Sequence, residues 1–201
     1  MTRFNIFHPI QSLILSTVLI FSATAQAEIL FEPVLGYRME KMTFLSKTNV
    51  ETKFSTANPA FGLRLGYQSP LGIELNVAAD YSAGQMQIDP INTKNDFTHK
   101  TASAQLGVSA MGLFKIYLGY GFVNEFELKN GAAYQGFKLT GTSYQAGIQF
   151  KLMPFISIGA QYNVNDYKNI EGVNYTLGNS TETYYNKIDV QDYAIQAIIN
   201  F

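Results

Sequence analysis

The 201-residue chain contains no cysteine and no tryptophan, and only 14% of its residues are charged. Without cysteine, an exported form of the protein would gain no stability from disulfides. His8 and His99 are the two histidines, so no metal site of cysteines and histidines can be assembled. A typical globular domain has about 25% charged residues, and the low fraction here indicates a protein with little surface in water.

Long apolar runs are also missing, apart from one near the N-terminus. The mostly apolar residues 13–21 follow Arg3 and precede the Ala-x-Ala of residues 25–27. This arrangement predicts a cleaved signal peptide over residues 1–27, since the run is too short to span a bilayer comfortably as an anchor. Without Arg3, the remaining domain, residues 28–201, has 13 basic and 15 acidic residues and a net charge of −2. That balance gives no indication of a nucleic-acid partner.

What the chain does contain is alternation of apolar with small or polar residues. In residues 61–68, for example, Phe61, Leu63 and Leu65 alternate with Gly62 and Arg64. A period of two predicts β-strands with one apolar face. Eight such segments occur, at residues 30–40, 61–68, 72–82, 101–110, 115–122, 143–152, 156–164 and 192–201.

The predicted connections alternate between short and long. Tight turns are predicted at residues 69–72, 111–114 and 152–155, and long polar loops at residues 43–58, 83–100, 125–139 and 166–186. An even number of antiparallel strands of about ten residues, with short turns at one end and long loops at the other, is typical of transmembrane β-barrels. We therefore predict an all-β fold, an eight-stranded antiparallel up-and-down transmembrane barrel with short periplasmic turns and four long extracellular loops.

A secreted soluble barrel is the main alternative, with its apolar residues inside. The residues on the polar face of the predicted strands are unusually small. Those that are glycine are Gly36, Gly62, Gly66, Gly107, Gly119, Gly121, Gly147 and Gly159. Small residues beside a few long polar ones fit the narrow interior of an eight-stranded barrel, whereas a surface in water would be richer in lysine and glutamate. The pattern therefore favours the membrane barrel.

The C-terminus adds a more specific motif, "YAIQAIINF", which ends on Phe201. With the eight strands and the signal peptide, it resembles the small outer-membrane β-barrels of Gram-negative bacteria, the group of OmpX-like proteins and the OmpA transmembrane domain. The resemblance implies an outer-membrane location and contact with outer-membrane lipid. We also predict a monomer without a cofactor. It also implies that the barrel-assembly machinery recognises one face of the last strand, namely Tyr193, Ile195, Ala197, Ile199 and Phe201.

Charged residues on the polar face are candidates for function. They are Arg38, Glu40, Arg64, Glu74, Asp80, Lys115, Lys151 and Asp192. Charges in a membrane segment are costly unless they face a wet or paired interior, and both signs are present. The pattern favours a salt-bridge network that fills the lumen. The alternative is the gate of a narrow pore, for which Arg38, Glu40, Arg64 and Asp80 are the best candidates.

Catalysis finds little support. His99 is the one imidazole of the predicted mature chain, at the end of the second long loop, where we expect a solvated side chain. Nucleophilic catalysis needs a base within reach of its nucleophile, so we predict no catalytic, cofactor or metal residues and no enzyme activity. The Asn-, Thr- and Tyr-rich residues 174–186 could bind an extracellular ligand, although a mobile hydrated loop is the favoured interpretation. A structural or surface-interaction role is the leading hypothesis, followed by a narrow channel for small polar or ionic solutes, and then a lipid- or peptide-acting enzyme.

Overall fold

The computed structural model describes residues 28–46, 50–89, 93–110, 112–130, 137–171, 175–176 and 185–201. The predicted signal peptide and the tips of the predicted long loops lie outside these residues. The strands are β1 (Glu28–Ser46), β2 (Glu51–Gln68), β3 (Ile73–Asp89), β4 (Thr93–Ala110), β5 (Phe114–Asn130), β6 (Lys138–Met153), β7 (Ile156–Glu171), β8 (Tyr175–Thr176) and β9 (Tyr185–Ile199). In the part of the chain described, no helix has the length and apolar character needed to cross a membrane.

Eight of these strands form a closed antiparallel barrel. The strands pair in the order β6-β5-β4-β3-β2-β1-β9-β7, and an additional β6–β7 pairing closes the ring. The two-residue β8 pairs only with the end of β7. The last strand pairs with the first, with Ala197 opposite Leu35 and Ile195 opposite Tyr37. Closure leaves no edge strand in the described sheet unpaired in lipid, where its backbone groups would find no partner, and the predicted fold class is confirmed.

The short turns lie where the sequence predicts them. They connect β2 to β3, β4 to β5 and β6 to β7. Gly72 and Gly112 have φ of 76° and 63°, a left-handed conformation that glycine adopts without the penalty of a Cβ atom. In the first turn, the Gly72 amide donates a hydrogen bond of 2.9 Å to the Ser69 carbonyl.

Strand length departs from the prediction. The barrel strands have 15 to 19 residues, whereas about ten were predicted. Much of the sequence predicted as long loops continues the strands instead: residues 43–46 belong to β1 and residues 51–58 to β2, and Phe44 pairs with Thr52. The prediction of loops over these residues was wrong because the alternation of residue types continues through them. What changes is which face of the strand carries the apolar residues.

The reversal divides the barrel into two regions. In the half near the short turns, which we call the membrane region, the outward face of β1 is apolar at Tyr37 and Met39 and the inward face is polar at Arg38 and Glu40. Beyond Glu40, the inward residues of β1 are apolar at Met42 and Phe44, and the outward Lys41 is charged. The extension is this second part, formed by residues 41–46, 51–58, 85–89, 93–98, 124–130, 138–142, 166–171 and 185–191.

A β-bulge in β5 helps to build the extension. The pairing of β5 with β6 shifts between Gly121 and Asn124, and the two residues between them, Phe122 and Val123, are both exposed. One extra residue changes which side chains point inward. Asn124 and Phe126 thereby become buried, which the uninterrupted alternation of the preceding residues would not have predicted.

Candidate functional site

The lumen is filled by polar layers, and the first lies near the short turns. The ammonium group of Lys115 lies 3.0 Å from Glu32 Oε1 and 2.7 Å from Glu74 Oε2. All three side chains are buried. Two carboxylates share one ammonium here, so the layer has a net negative charge when all three groups are ionised.

The second layer surrounds Arg64. Its Nη2 donates hydrogen bonds to Tyr117 Oη at 3.1 Å, Gln161 Oε1 at 3.2 Å and Gln196 Oε1 at 2.5 Å. The guanidinium carbon also lies 4.9 Å from the centre of the Tyr117 ring, within the range of a cation–π interaction. A Cβ atom at Gly147 would overlap the Tyr117 ring, so this glycine provides the space for the ring.

The third layer joins Arg38 to two carboxylates and an imidazole. Its guanidinium lies 3.9 Å from Glu40 Oε1 and 3.8 Å from Asp192 Oδ1. His99 Nδ1 lies 2.5 Å from Glu40 Oε1, and its Nε2 lies 2.7 Å from Asn124 Oδ1. All these side chains are buried. The short distance between His99 and the Glu40 carboxylate is typical of a charge-assisted hydrogen bond.

The carboxylates of this layer do not form a good metal site. One ligand atom each from Glu40, His99 and Asp192 lies within 4.8 Å of the others. However, Asn163 and Asn165 donate hydrogen bonds to the two oxygens of Asp192. The guanidinium of Arg38 already provides the positive charge beside both carboxylates. The group is better explained as a charge network than as ligands for a cation.

Above the third layer, the extension encloses an apolar cluster, which we call the apolar plug. Its rings pack closely, with centroids 4.8 Å apart for Phe44 and Phe54 and 5.0 Å apart for Phe97 and Phe126. A cavity of about 10 Å³ remains in it, barely enough for one water molecule. The plug consists of Met42, Phe44, Phe54, Met86, Phe97, Phe126, Leu128, Leu139, Tyr167, Ile170, Ile188 and Val190.

The structure brings most of the predicted charged residues together inside the barrel. Those buried in the lumen are Arg38, Glu40, Arg64, Glu74, Asp80, Lys115 and Asp192. Asp80 accepts a hydrogen bond of 3.4 Å from Thr101 Oγ1. Lys151 is exposed and lines an open cavity of about 420 Å³ at the short-turn end. Its position near the end of β6 places it at the rim of the lumen.

His99 is placed differently from the prediction. The prediction of a solvated loop residue was wrong, because His99 lies within β4 and is fully buried. It shares its inward face with Thr101 and Ser103, which the predicted strand already placed on the polar side. Extending that alternation by one more pair of residues would have found it.

Glu32 is a second residue that the sequence analysis missed. It has the same parity as Arg38 and Glu40, but Pro33 and the apolar, buried Val34 obscure the alternation at the start of β1. Tyr117 has the same parity as Lys115, so the alternation of residues 115–122 places it on the polar face, but its contact with Arg64 could only be seen in the structure.

The proposed recognition face of the last strand lies on the outside of the barrel. The exposed fractions of Ile195 and Phe201 are 64% and 73%. The Phe201 amide donates a hydrogen bond of 3.2 Å to the Phe31 carbonyl, and the two rings lie 6.0 Å apart. The C-terminal residue is therefore attached to the wall of the barrel.

The family model described as "outer membrane protein beta-barrel domain" matches residues 13–195. The chain belongs to this family. Membership implies an outer-membrane location, in agreement with the apolar outer face of the membrane region. It leaves the choice between a surface-interaction role and a channel open. None of the curated proteins matches the sequence.

Solved structures agree with the fold of this family member. Ail, the attachment invasion locus protein of Yersinia pestis, was crystallised with the heparin analogue sucrose octasulfate; it has 16% identity and a TM-score of 0.54, over 87% of this chain and 99% of Ail. OprG of Pseudomonas aeruginosa has 15% identity and a TM-score of 0.51, over 88% of this chain and 98% of OprG. AlkL, studied in lipid bilayers, has 14% identity and a TM-score of 0.50, over 87% of this chain and 90% of AlkL. At these identities the likeness concerns the fold alone.

Proposed function

We propose that this outer-membrane barrel is a non-conducting, non-enzymatic surface protein, whose extension holds an interaction surface above the membrane. The observation that supports this proposal is the apolar plug above three polar layers. A path for ions must be lined by polar groups or water along its whole length. The close-packed rings of Phe44, Phe54, Phe97 and Phe126 interrupt such a path.

The outer face of the extension supports a role in contact with water and with other molecules. It presents exposed charges of both signs, including Lys41, Lys53, Lys168, Glu51 and Asp166. Lys53 and Glu51 form an exposed ion pair at 3.6 Å, and Lys168 and Asp166 form one at 3.8 Å. A mixed-charge surface of this kind is soluble. Ail, which has a similar fold, is described as an attachment protein, and this too favours a surface role.

Conductance across planar bilayers tests the closed lumen. We expect the refolded wild-type protein to show no discrete conductance steps. Steps in the wild type that change on Arg64→Ala or Glu40→Ala would instead establish the narrow channel. Phe97→Ser with Phe126→Ser serves as a probe of the plug: we expect it to remain silent, because the three polar layers still fill the lumen below.

The surface role needs a separate test. Residues 174–186 can be replaced by a Gly-Ser linker in a protein displayed on a Gram-negative host strain. We expect adhesion of that strain to cultured cells to fall to background while the barrel still inserts, as judged by heat-modifiable mobility on gels. Adhesion unchanged by the replacement would contradict a role for this segment.

A narrow channel is the second candidate, and the Arg38 layer favours it. Arg38 lies almost equally far from Glu40 and Asp192, so its guanidinium could exchange partners at little cost. Opening would also require the plug to separate, which makes this candidate the weaker one.

For assembly, we propose that the outward face of the last strand is the recognition signal. The expected readout is the amount of heat-modifiable barrel in outer membranes. Deleting Phe201, or changing Ile199 to Lys, should lower that amount strongly, because both residues lie on the outward face. Normal assembly of both variants would show that the signal lies elsewhere.

A further inference from the structure

The wall of the barrel has a local gap between β2 and β3. The pairing runs from Lys53–Asp89 to Thr56–Met86 and resumes at Ala60–Ser82 with the same register. Three successive residue pairs between these points are not paired. The ladders on either side, β1 with β2 and β3 with β4, continue past this level, so the gap is confined to one seam.

The residues at the gap explain why it opens. Pro59 has no N–H group to donate across the seam. The Asn58 side chain leans over Gly84, where a Cβ atom would overlap it. Asn58 Oδ1 accepts a hydrogen bond of 3.3 Å from the Gln85 amide, in place of a backbone partner. Proline, asparagine and glycine together replace the ladder by a side-chain contact.

A cavity of about 370 Å³ lies at this gap. Apart from Ala57 and Met86, its lining side chains are polar: Ser55, Thr56, Asn58, Gln85, Gln87 and Lys94. We call this cavity the β2–β3 notch. Its lining includes outward residues, such as Ser55 and Gln85, and inward residues, such as Thr56 and Asn58, so it passes into the wall itself.

Two polar atoms beside the notch are buried and could be satisfied by a ligand. Thr56 Oγ1 and Asn58 Nδ2 have no hydrogen-bond partner in the part of the chain that the structure describes. The two residues are only 6% and 8% exposed. A buried polar group without a partner costs about 1–3 kcal/mol. A turn of either side chain toward a molecule bound in the notch would let that molecule's hydroxyl or carbonyl groups remove the cost.

The height of the notch limits what can reach it. The pair next to its lower edge is Ala60–Ser82, and the following pair is Phe61–Tyr81, whose side chains face outward and are exposed. Aromatic side chains of transmembrane barrels gather at the membrane–water interface. The notch therefore opens at the level of the lipid head groups on the extracellular side.

We propose that the β2–β3 notch binds an anionic saccharide. Amide and hydroxyl groups on several sides match the hydroxyls of a sugar, and among the described lining residues Lys94 carries the one ionic side chain. An acidic group on the sugar would pair with its exposed ammonium. At this height the natural source is a phosphorylated glycolipid of the outer leaflet; a free acidic oligosaccharide has the same chemistry.

Binding can be measured on the whole barrel, folded in phosphatidylcholine nanodiscs. The probe is a soluble bisphosphorylated glucosamine disaccharide, and the readout is the NMR shift of the side-chain amides of Asn58 and Gln85. We expect saturable shifts with this probe and none with neutral maltose. Lys94→Gln should weaken binding about tenfold, since a hydrogen bond to a charged group is lost.

Two further variants and a second lipid condition make the test decisive. Lys129→Gln removes an exposed lysine of β5 that does not line the notch, and should bind as the wild type does. Asn58→Ala should weaken binding while the barrel keeps its heat-modifiable mobility. Shifts on adding lipopolysaccharide to the nanodiscs identify the glycolipid as the source; shifts with the soluble sugar alone identify a free saccharide.

Three results would overturn the proposal. The first is no saturable shift with either source. The second is equal binding by Lys94→Gln and the wild type. The third is a shift of the same amides with decane but not with the saccharide, which would make the notch an apolar opening in the wall. None of these outcomes depends on whether residues 174–186 bind a partner.

Discussion

The membrane region and the extension are built from the same strands paired with the same neighbours, yet their two faces have opposite polarity. Along β1, Tyr37 and Met39 face outward before the reversal, and Lys41 does so after it. Arg38 and Glu40 face inward before it, and Met42 after it. The reversal shows that hydrogen bonding across a β-barrel is independent of which face is apolar. The medium outside, lipid or water, decides that.

The two regions also differ in what stabilises their interiors. In the membrane region, charged and amide side chains hydrogen-bond across the lumen, as around Arg64, because lipid already surrounds the apolar outer face. In the extension, water surrounds the barrel, and burial of the twelve side chains of the apolar plug provides a hydrophobic core. The extension is therefore organised like a small soluble β-barrel continuous with a transmembrane one.

The largest expected effect comes from removing a ring of the plug. Phe126→Ala should lower the free energy of unfolding by about 3–5 kcal/mol, since it leaves a cavity in a packed core. Urea unfolding in lipid vesicles, followed by tyrosine fluorescence, measures it. Phe122→Ala on the same strand is the matched control: lipid chains can fill the space it leaves, so its effect should be clearly smaller. Equal losses of unfolding free energy for the two variants would mean that the apolar plug does not act as a hydrophobic core.

The next largest effect comes from placing a lysine on the outer face of the barrel, which should lower the unfolding free energy more in the membrane region than in the extension. Ile195→Lys puts a charge on the lipid-facing side of β9 and should cost about 2–4 kcal/mol of unfolding free energy. Gln191→Lys lies on the same strand and the same face, but in the extension, and should cost about 0.5 kcal/mol, partly because Lys41 is directly opposite. Similar costs in vesicle unfolding would place the membrane boundary elsewhere.

The smallest expected loss of unfolding free energy comes from removing a lysine from an ion pair, and it should differ between a buried and an exposed pair. Lys115→Gln leaves Glu32 and Glu74 together without a cation and should cost about 1–3 kcal/mol, less than a fully enclosed pair because the layer borders an open cavity. Lys53→Gln breaks the exposed pair with Glu51 and should change stability by less than about 0.5 kcal/mol. The same vesicle unfolding assay applies, and a larger loss from Lys53→Gln would contradict this assignment.

The sequence alone predicts the membrane region well. Eight alternating segments and three short turns lead directly to the barrel, because lipid imposes one polarity on every strand. The extension could not be read in the same way, since its polarity is reversed and its outward residues, such as Lys41 and Lys53, resemble those of loops. His99 was misplaced because the predicted strand began only at Thr101, two residues after it, whereas β4 already includes it. The contacts between layers depend on strand tilt, which alternation does not reveal.

The extension has a mechanical consequence for everything attached to it. From Glu40 to Ser46, β1 rises about 15 Å, for about 3.3 Å per residue and a tilt near 40°. A tube with a packed interior resists bending, so the upper ends of its strands are held rigidly above the lipid head groups. Foreign peptides grafted at those ends would be displayed at a fixed height, and the folding of the membrane region would not depend on their sequence.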